Sequence, residues 1–257
     1  MPVFKVSKSL FHLSAIATCA LMTTNLFADT VLVEEEFNNY SFGPPIHSSI
    51  PAPGSTHNVT STPIFLGDGN VMLQEFNILM NSNVTISTSQ PIFPAAFKYN
   101  PQTEGAISNL TASLITIPAF AIGQLKGFAQ ARIFALQDNQ LYFHNIDTYA
   151  TDDDTTLRVS SPLTQNDFIG IGPNVIIPNA HPDFSGNEIF FGVGIDIAPI
   201  GYDPNKLESL MVFFDDPTIR ISARPIPEPA SILLLGAPAL IFLKRKRKFQ
   251  RATFQIT

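Results

Sequence analysis

Between Gly127 and Leu136 the sequence alternates with a period of two. Gly127, Ala129, Ala131, Ile133 and Ala135 fall on one side, and Phe128, Gln130, Arg132, Phe134 and Leu136 on the other. Alternation of that kind is strand behaviour, because successive side chains of an extended chain point to opposite faces. Asp138-Asn139 follows, two residues that tolerate positive φ, and then Leu141, Tyr142 and Phe143. This predicts a hairpin turned at 138–139. The same reading places strands at Thr30–Phe37, Val71–Leu79, Val84–Ser87, Ala106–Ile117, Gln140–Ile146, Thr155–Ser160, Glu188–Asp196, Leu210–Phe214 and Thr218–Ala223. Phe, Thr, Ile and Val are plentiful between Pro, Asn and Gly punctuation, and no capped stretch of helical period appears in the body. The expected class is all-β, a sandwich or a barrel. Ser41–Pro63, rich in Pro, Ser and His, reads as a loop or extended arm. No internal repeat of fixed period is present.

The two ends have a different character. Lys5 and Lys8 precede a mostly apolar run, Leu10 to Met22, and Ala28 offers a small residue before Asp29. That is the build of a secretory signal peptide over residues 1–28, cut after Ala28 by signal peptidase. Cys19 is preceded by Thr18 rather than Gly or Ala, which argues against a lipid anchor. At the other end Pro227-Glu228-Pro229 precedes an uncharged apolar stretch, 230–243, and then Lys244-Arg245-Lys246-Arg247-Lys248. As a helix, 230–243 covers roughly 21 Å, short of a hydrocarbon core of roughly 30 Å. The basic cluster would stay on the cytoplasmic side and stop translocation.

Residues 227–251 resemble the PEP-CTERM sorting signal of exported bacterial proteins, with Pro227, Glu228 and Pro229 as its motif. The resemblance implies an inner-membrane precursor held by a transmembrane helix at 230–243. It also implies an exosortase as partner, cutting near the motif to leave a mature form outside the cell or on its surface. Two departures are Pro238 within the span and a tail, 252–257, after the basic residues. Residues 29–223 then form one β domain and 224–226 a linker. Within that domain Glu35-Glu36-Phe37, Gln137–Tyr142, Leu163–Phe168, Pro182–Ser185 and Phe213–Ile219 resemble jelly-roll domains that often precede this signal. The implied fold is a lectin-like sandwich similar to carbohydrate-binding modules. Fold analogy alone supplies no function.

Removal of both signals leaves about 198 residues without cysteine, which excludes disulfides, thiol catalysis and Cys-ligated metals. Seven basic residues stand against twenty acidic ones in 29–226, a formal −13 against −6 for the whole chain. Such a body is a poor partner for nucleic acid or anionic lipid. Glu34-Glu35-Glu36 in the first strand and Asp215-Asp216 near the last supply hard oxygen ligands. Carbohydrate-binding jelly rolls commonly join these strands around structural Ca²⁺, so the resemblance points to Glu35, Glu36, Asp215 and Asp216 as ligands. Solvated strand ends are the plainer reading. Asp152-Asp153-Asp154 reads as a solvated loop tip.

No nucleophile elbow, zinc-helix motif or phosphate loop is present. His144, His181 and Asp183 make a site only on paper. Glu188 and Asp196 lie about 26 Å apart along one strand, too far for glycoside hydrolysis. Trp is absent, so a sugar platform would rest on the five Tyr or on outward Phe, such as those on the face of Phe128 and Phe134. The expected role is a non-enzymatic envelope or matrix component associated with extracellular polysaccharide, the last step resting on the PEP-CTERM resemblance. A carbohydrate-active enzyme on the same sandwich and a structural or adhesive module remain the alternatives.

Overall fold

The computed structural model describes residues 28–33, 37, 39–44, 46–47, 56–66, 69–79, 88–122, 126–151, 153–172, 175–200, 207–224 and 226. The chain divides into two compact units, Met1–Arg224 and Pro225–Thr257. Of the second, only Ile226 is among the described residues. The described residues of the first are mostly antiparallel strands in two sheets rather than a closed barrel.

Numbering strands along the chain, sheet A runs β12 (Thr156–Val159), β9 (Ile107–Ile122), β16 (Leu207–Ala223), β5 (Gly69–Leu79), β4 (Thr56–Leu66). Strand β1 (Ala28–Val33) joins the same side of β16 as β5, but farther along it. Sheet B runs β14 (Val175–Ile177), β13 (Ile169–Gly172), β11 (Gln140–Ala150), β10 (Lys126–Gln137), β15 (Ile189–Ile200), β6 (Thr88–Ser89), β3 (Ile46–His47). Short strands β7 (Ile92–Pro94) and β8 (Lys98–Tyr99) also border β15, and β2 (Tyr40–Phe42) borders β7.

The alternating segment is central in sheet B. Ala129, Ala131, Ile133 and Ala135 are buried in the core that both sheets share. Ala129, Ala131 and Ala135 sit opposite the large Ile197, Ile195 and Phe191 of β15, while Ile133 meets Val193. Sheet A answers with Met72, Phe76, Leu110, Leu114, Val212 and Phe214. The turn forms as expected: Asp138 and Asn139 have φ of 52° and 63°, the double positive φ of a type I′ hairpin.

Strand β16 merges two segments that the sequence separates. Its core residues are Leu210, Val212 and Phe214, and then Ile219, Ile221 and Ala223, so the parity changes midway. A bulge causes the change. Asp215 pairs with Ile115 and Thr218 with Ser113, three steps on β16 against two on β9. The bulged Asp216 has φ 46°. One extra residue bends a strand and moves its later side chains to the other face, which here returns apolar residues to the core.

The described part of Ser41–Pro63 is mostly strand, not the expected loop. It contains part of β2, all of β3 and most of β4. The cue that misleads is Pro63, which sits in a terminal strand of sheet A opposite Met72. Pro is tolerated at such an edge, where no neighbour needs its missing N–H, and Val59, Thr60, Thr62 and Ile64 favour extension. Val84–Ser87 lies outside the described residues, as do both expected terminal helices. Among the described residues no helix is long and apolar enough to cross a membrane.

The sheets are also joined through one polar side chain. Between β6 and β7 the ladder beside β15 is broken at Gln90-Pro91, and Pro91 has no N–H to donate. Gln74 of sheet A fills the break. Its Oε1 accepts from the Ile195 N–H at 2.8 Å, and its Nε2 donates to the Gln90 carbonyl at 2.7 Å. The second Nε2 proton goes to Ser61 Oγ at 3.0 Å, and Ser61 donates to Gln90 Oε1 at 2.9 Å. Gln74 is wholly buried. Replacement by Leu strands a buried N–H and a buried carbonyl, at about 1–3 kcal/mol each. We expect Gln74→Leu to lower unfolding free energy by about 2–5 kcal/mol, read as an earlier denaturation midpoint, despite the added apolar surface.

Candidate functional site

The first and last strands meet. Ala28 lies opposite Ala223 and Val33 opposite Thr218, and Ser222 Oγ donates to Asp29 Oδ1 at 2.9 Å. Asp216 therefore stands two residues, and Asp215 three, from the partner of Val33, the last described residue before the acidic run. Asp215 Oδ1 accepts from the Asp216 N–H at 2.9 Å. Burial raises the Asp215 carboxyl above its ordinary pKa; the Asp216 N–H opposes this and the Asp216 charge reinforces it. Glu34, Glu35 and Glu36 lie outside the described residues, as do Pro227, Glu228, Pro229 and the 244–248 cluster. Among the described residues no three His, Cys, Asp or Glu side chains are grouped to hold a metal.

The histidines do not converge. His144 Nδ1 donates to the Asp167 carbonyl at 2.8 Å and His181 Nδ1 to the Phe168 carbonyl at 2.7 Å. Phe168 is extended, and successive carbonyls of an extended chain point to opposite edges. The two rings thus straddle the segment. Asp183 is occupied locally, accepting from Ser185 N–H and Oγ, which hold its carboxyl below the usual carboxylate range. Its backbone is clasped by Gln137, which accepts from the Asp183 N–H at 2.7 Å and donates to its carbonyl at 2.9 Å.

The carboxylates considered for catalysis are each committed to a cation. Glu188 pairs with Lys98 at 2.9 Å and Asp196 with Arg132 at 2.8 Å. Of the expected tip at 152–154, Asp152 lies outside the described residues, Asp154 is exposed, and Asp153 is exposed but tied to a cation. Asp153 pairs with Arg158 at 3.3 Å, and Arg158 also reaches Asp147 at 3.0 Å and lies 4.4 Å over the Tyr149 ring. Arg158 belongs to β12 of sheet A, whereas Asp147 and Tyr149 belong to β11 of sheet B. This ion pair ties one side of the two sheets together. Burial raises the Tyr149 phenol, against the opposing charge of Arg158.

The most organised polar constellation lies on the outer face of sheet B, where β10 turns Phe128, Gln130 and Arg132 away from the shared core. Arg132 and Asp196 are both nearly inaccessible. Burial lowers the pKa of Arg132 while Asp196 opposes the shift. The guanidinium is surrounded. Nε donates to Asn145 Oδ1 at 2.8 Å, a terminal nitrogen to Gln130 Oε1 at 2.9 Å, and the Phe143 ring lies 4.5 Å away. Asn145 lies opposite Arg132, Thr148 opposite Gln130, and Ala150 opposite Phe128. Phe128 is 52% exposed, and Asn145 and Thr148 are also open to solvent. Phe134, on the same face, is buried beside Phe93, Leu141 and Phe143, so the candidate aromatic surface narrows to Phe128. Alternation along one strand marks this face, but the ion pair needs the cross-strand register that puts Asp196 opposite Gln130.

A scan against protein-family models finds no match, and a search of curated proteins finds none. Among solved structures, the chain is similar to a structure of infectious bursal disease virus Gx strain, at 11% identity and TM-score 0.19 over 86% of this chain. It is also similar to the infectious bursal disease virus VP2 subviral particle, at 12% identity and TM-score 0.17 over 76% of this chain. The chain spans about half the length of either, 48% and 50%. These values are too low to carry an argument.

Removing one partner from the buried pair leaves the other charge uncompensated, at about 3–5 kcal/mol. Asp196→Ala is expected to destabilise by that amount in denaturant titration. The double change Arg132→Met with Asp196→Leu should lose markedly less.

Proposed function

We propose that this is an exported, non-enzymatic protein of the cell envelope or extracellular matrix that associates with extracellular polysaccharide. The observation that carries the reading is the C-terminal order of Pro227-Glu228-Pro229, apolar 230–243 and basic 244–248, matched by a signal-peptide pattern at the N-terminus. Strand β1 begins at Ala28, opposite Ala223, so the first and last strands of the body are neighbours. The adjacency of first and last strands supports a lectin-like jelly roll as the finer description of the fold. A binding or scaffolding role, rather than hydrolysis, is supported by the commitment of Glu188 and Asp196 to Lys98 and Arg132.

The released protein is expected to end near Pro227–Pro229, to lack 244–248, and to co-purify with the extracellular polysaccharide fraction. Glu228→Ala should leave full-length chain in the inner membrane. Mass spectrometry of released protein that finds the peptide through Thr257 intact would reject the processing. Absence from the polysaccharide fraction would reject the association.

Structural calcium at the bulge belongs to the same reading, with Asp215 and Asp216 joined by Glu35 and Glu36. Two adjacent carboxylates fall short of the six to eight oxygens that Ca²⁺ takes, so the glutamates are required. The burial that raises the Asp215 pKa is the penalty that a divalent ion offsets. EDTA should lower the melting temperature, and Asp215→Asn should abolish the difference. Identical melting with and without EDTA would remove calcium from the account.

A further inference from the structure

Arg132 does more than neutralise Asp196, because it fixes which way two amides face. A guanidinium has donors only, so the atoms of Gln130 and Asn145 that meet it must be their oxygens. Each amide then turns its NH₂ group away from Arg132. Among the described residues nothing accepts from Gln130 Nε2 or Asn145 Nδ2. Two residues before Gln130, roughly 7 Å along the strand, the Phe128 ring lies open on the same face. Thr148, opposite Gln130, adds a hydroxyl. The result is an apolar ring beside oriented N–H donors, held by a buried ion pair that cannot easily shift.

The chemistry that fits is a ring with one apolar face and a rim of oxygen acceptors. A pyranose with equatorial hydroxyls has that form: its axial C–H face covers Phe128 while rim oxygens accept from the amides. Charge selects among polymers. Asp196 already neutralises Arg132, and the body carries a formal −13, seven basic residues against twenty acidic ones in 29–226, so a polyanion is repelled. A peptide strand is disfavoured too, because β10 lies between β11 and β15 and has no free edge to pair with it.

We propose that Phe128, Gln130, Asn145 and Thr148 form a subsite for one neutral pyranose ring of an extracellular polysaccharide. The proposal rests on the polysaccharide-associated reading and gives it a place and a ligand class. Asn145→Asp is the probe for the amides, since at this exposed position a carboxylate still accepts from Arg132 Nε but brings no N–H donors, whereas one at Gln130 would face the buried Asp196. Phe128→Ala removes an exposed ring and should leave folding intact. Depletion of the full-length chain, in detergent, would be measured on cellulose particles, a neutral β-linked glucan, and on alginate beads, a polyuronate. The expected result is retention on cellulose, weakened at least about tenfold by either variant at unchanged melting temperature. Equal retention of wild type and variants would overturn the subsite while leaving polysaccharide association standing. Retention on alginate alone, weakened by either variant, would overturn the neutral ligand; the variants are needed because the basic cluster at 244–248 can itself hold a polyanion. Retention on neither overturns the subsite, while co-purification with the cells' own polysaccharide decides the wider reading separately.

Discussion

Sheet B has a gap where its ladder meets Gln90-Pro91, and the amide of Gln74 closes that gap from the opposite sheet. A glutamine amide has the donor and acceptor of a peptide group, so it can stand in for one missing from a ladder. The arrangement depends on sheet A placing Gln74 between Met72 and Phe76 on its inner face. It also depends on close passage of the 90–92 segment over β15. There a Cβ on Gly192 would come within 2.7 Å of the Ile92 carbonyl, and one on Gly194 within 2.9 Å of the Gln90 carbonyl. Apolar burial holds the two sheets together without direction; Gln74 supplies a fixed alignment.

Where a polar group is buried here, it is generally tied to a second element. Gln137 clasps the backbone at 183 and 187, Arg158 joins the sheets at one side, and Arg132 joins β10 to β11 and β15. Among these ties, Arg158 finds its partners 5 and 11 residues away, whereas Gln137 and Arg132 also reach across 46 and 64 positions. Losing one exposes an unsatisfied partner in a dry environment, so the polar ties specify which packing is native more than they add net stability.

How much of this was legible in the sequence follows from how local each signal is. The Asp138-Asn139 turn and the alternation of β10 are written within a few residues and appear where expected. The parity change between Leu210, Val212 and Phe214 and Ile219, Ile221 and Ala223 was also readable, but as two strands; recognising one bulged strand required β9 alongside. Gln74 left a trace, a polar residue at a core position between Met72 and Phe76, whose partner 121 residues away no spacing could reveal. Along its own strand Asp196 has only the distant Glu188 as a carboxylate partner, whereas its counterion Arg132 lies across the sheet. Strand β4 was hidden by Pro63, because whether a proline is tolerated depends on an edge position that only the assembled sheet defines.

Strand β16 occupies the middle of sheet A, between β9 on one side and β5 with β1 on the other, yet it is the last strand of the body to be synthesised. Until residue 207 onward is available, β5 and β9 have no common neighbour and the first strand has nothing to pair with. The closing contacts span nearly the whole body, and such pairings form late because loop closure must come first. A chain built this way stays unclosed for almost the whole of its synthesis. Among the described strands, only the last one gives sheet A its centre.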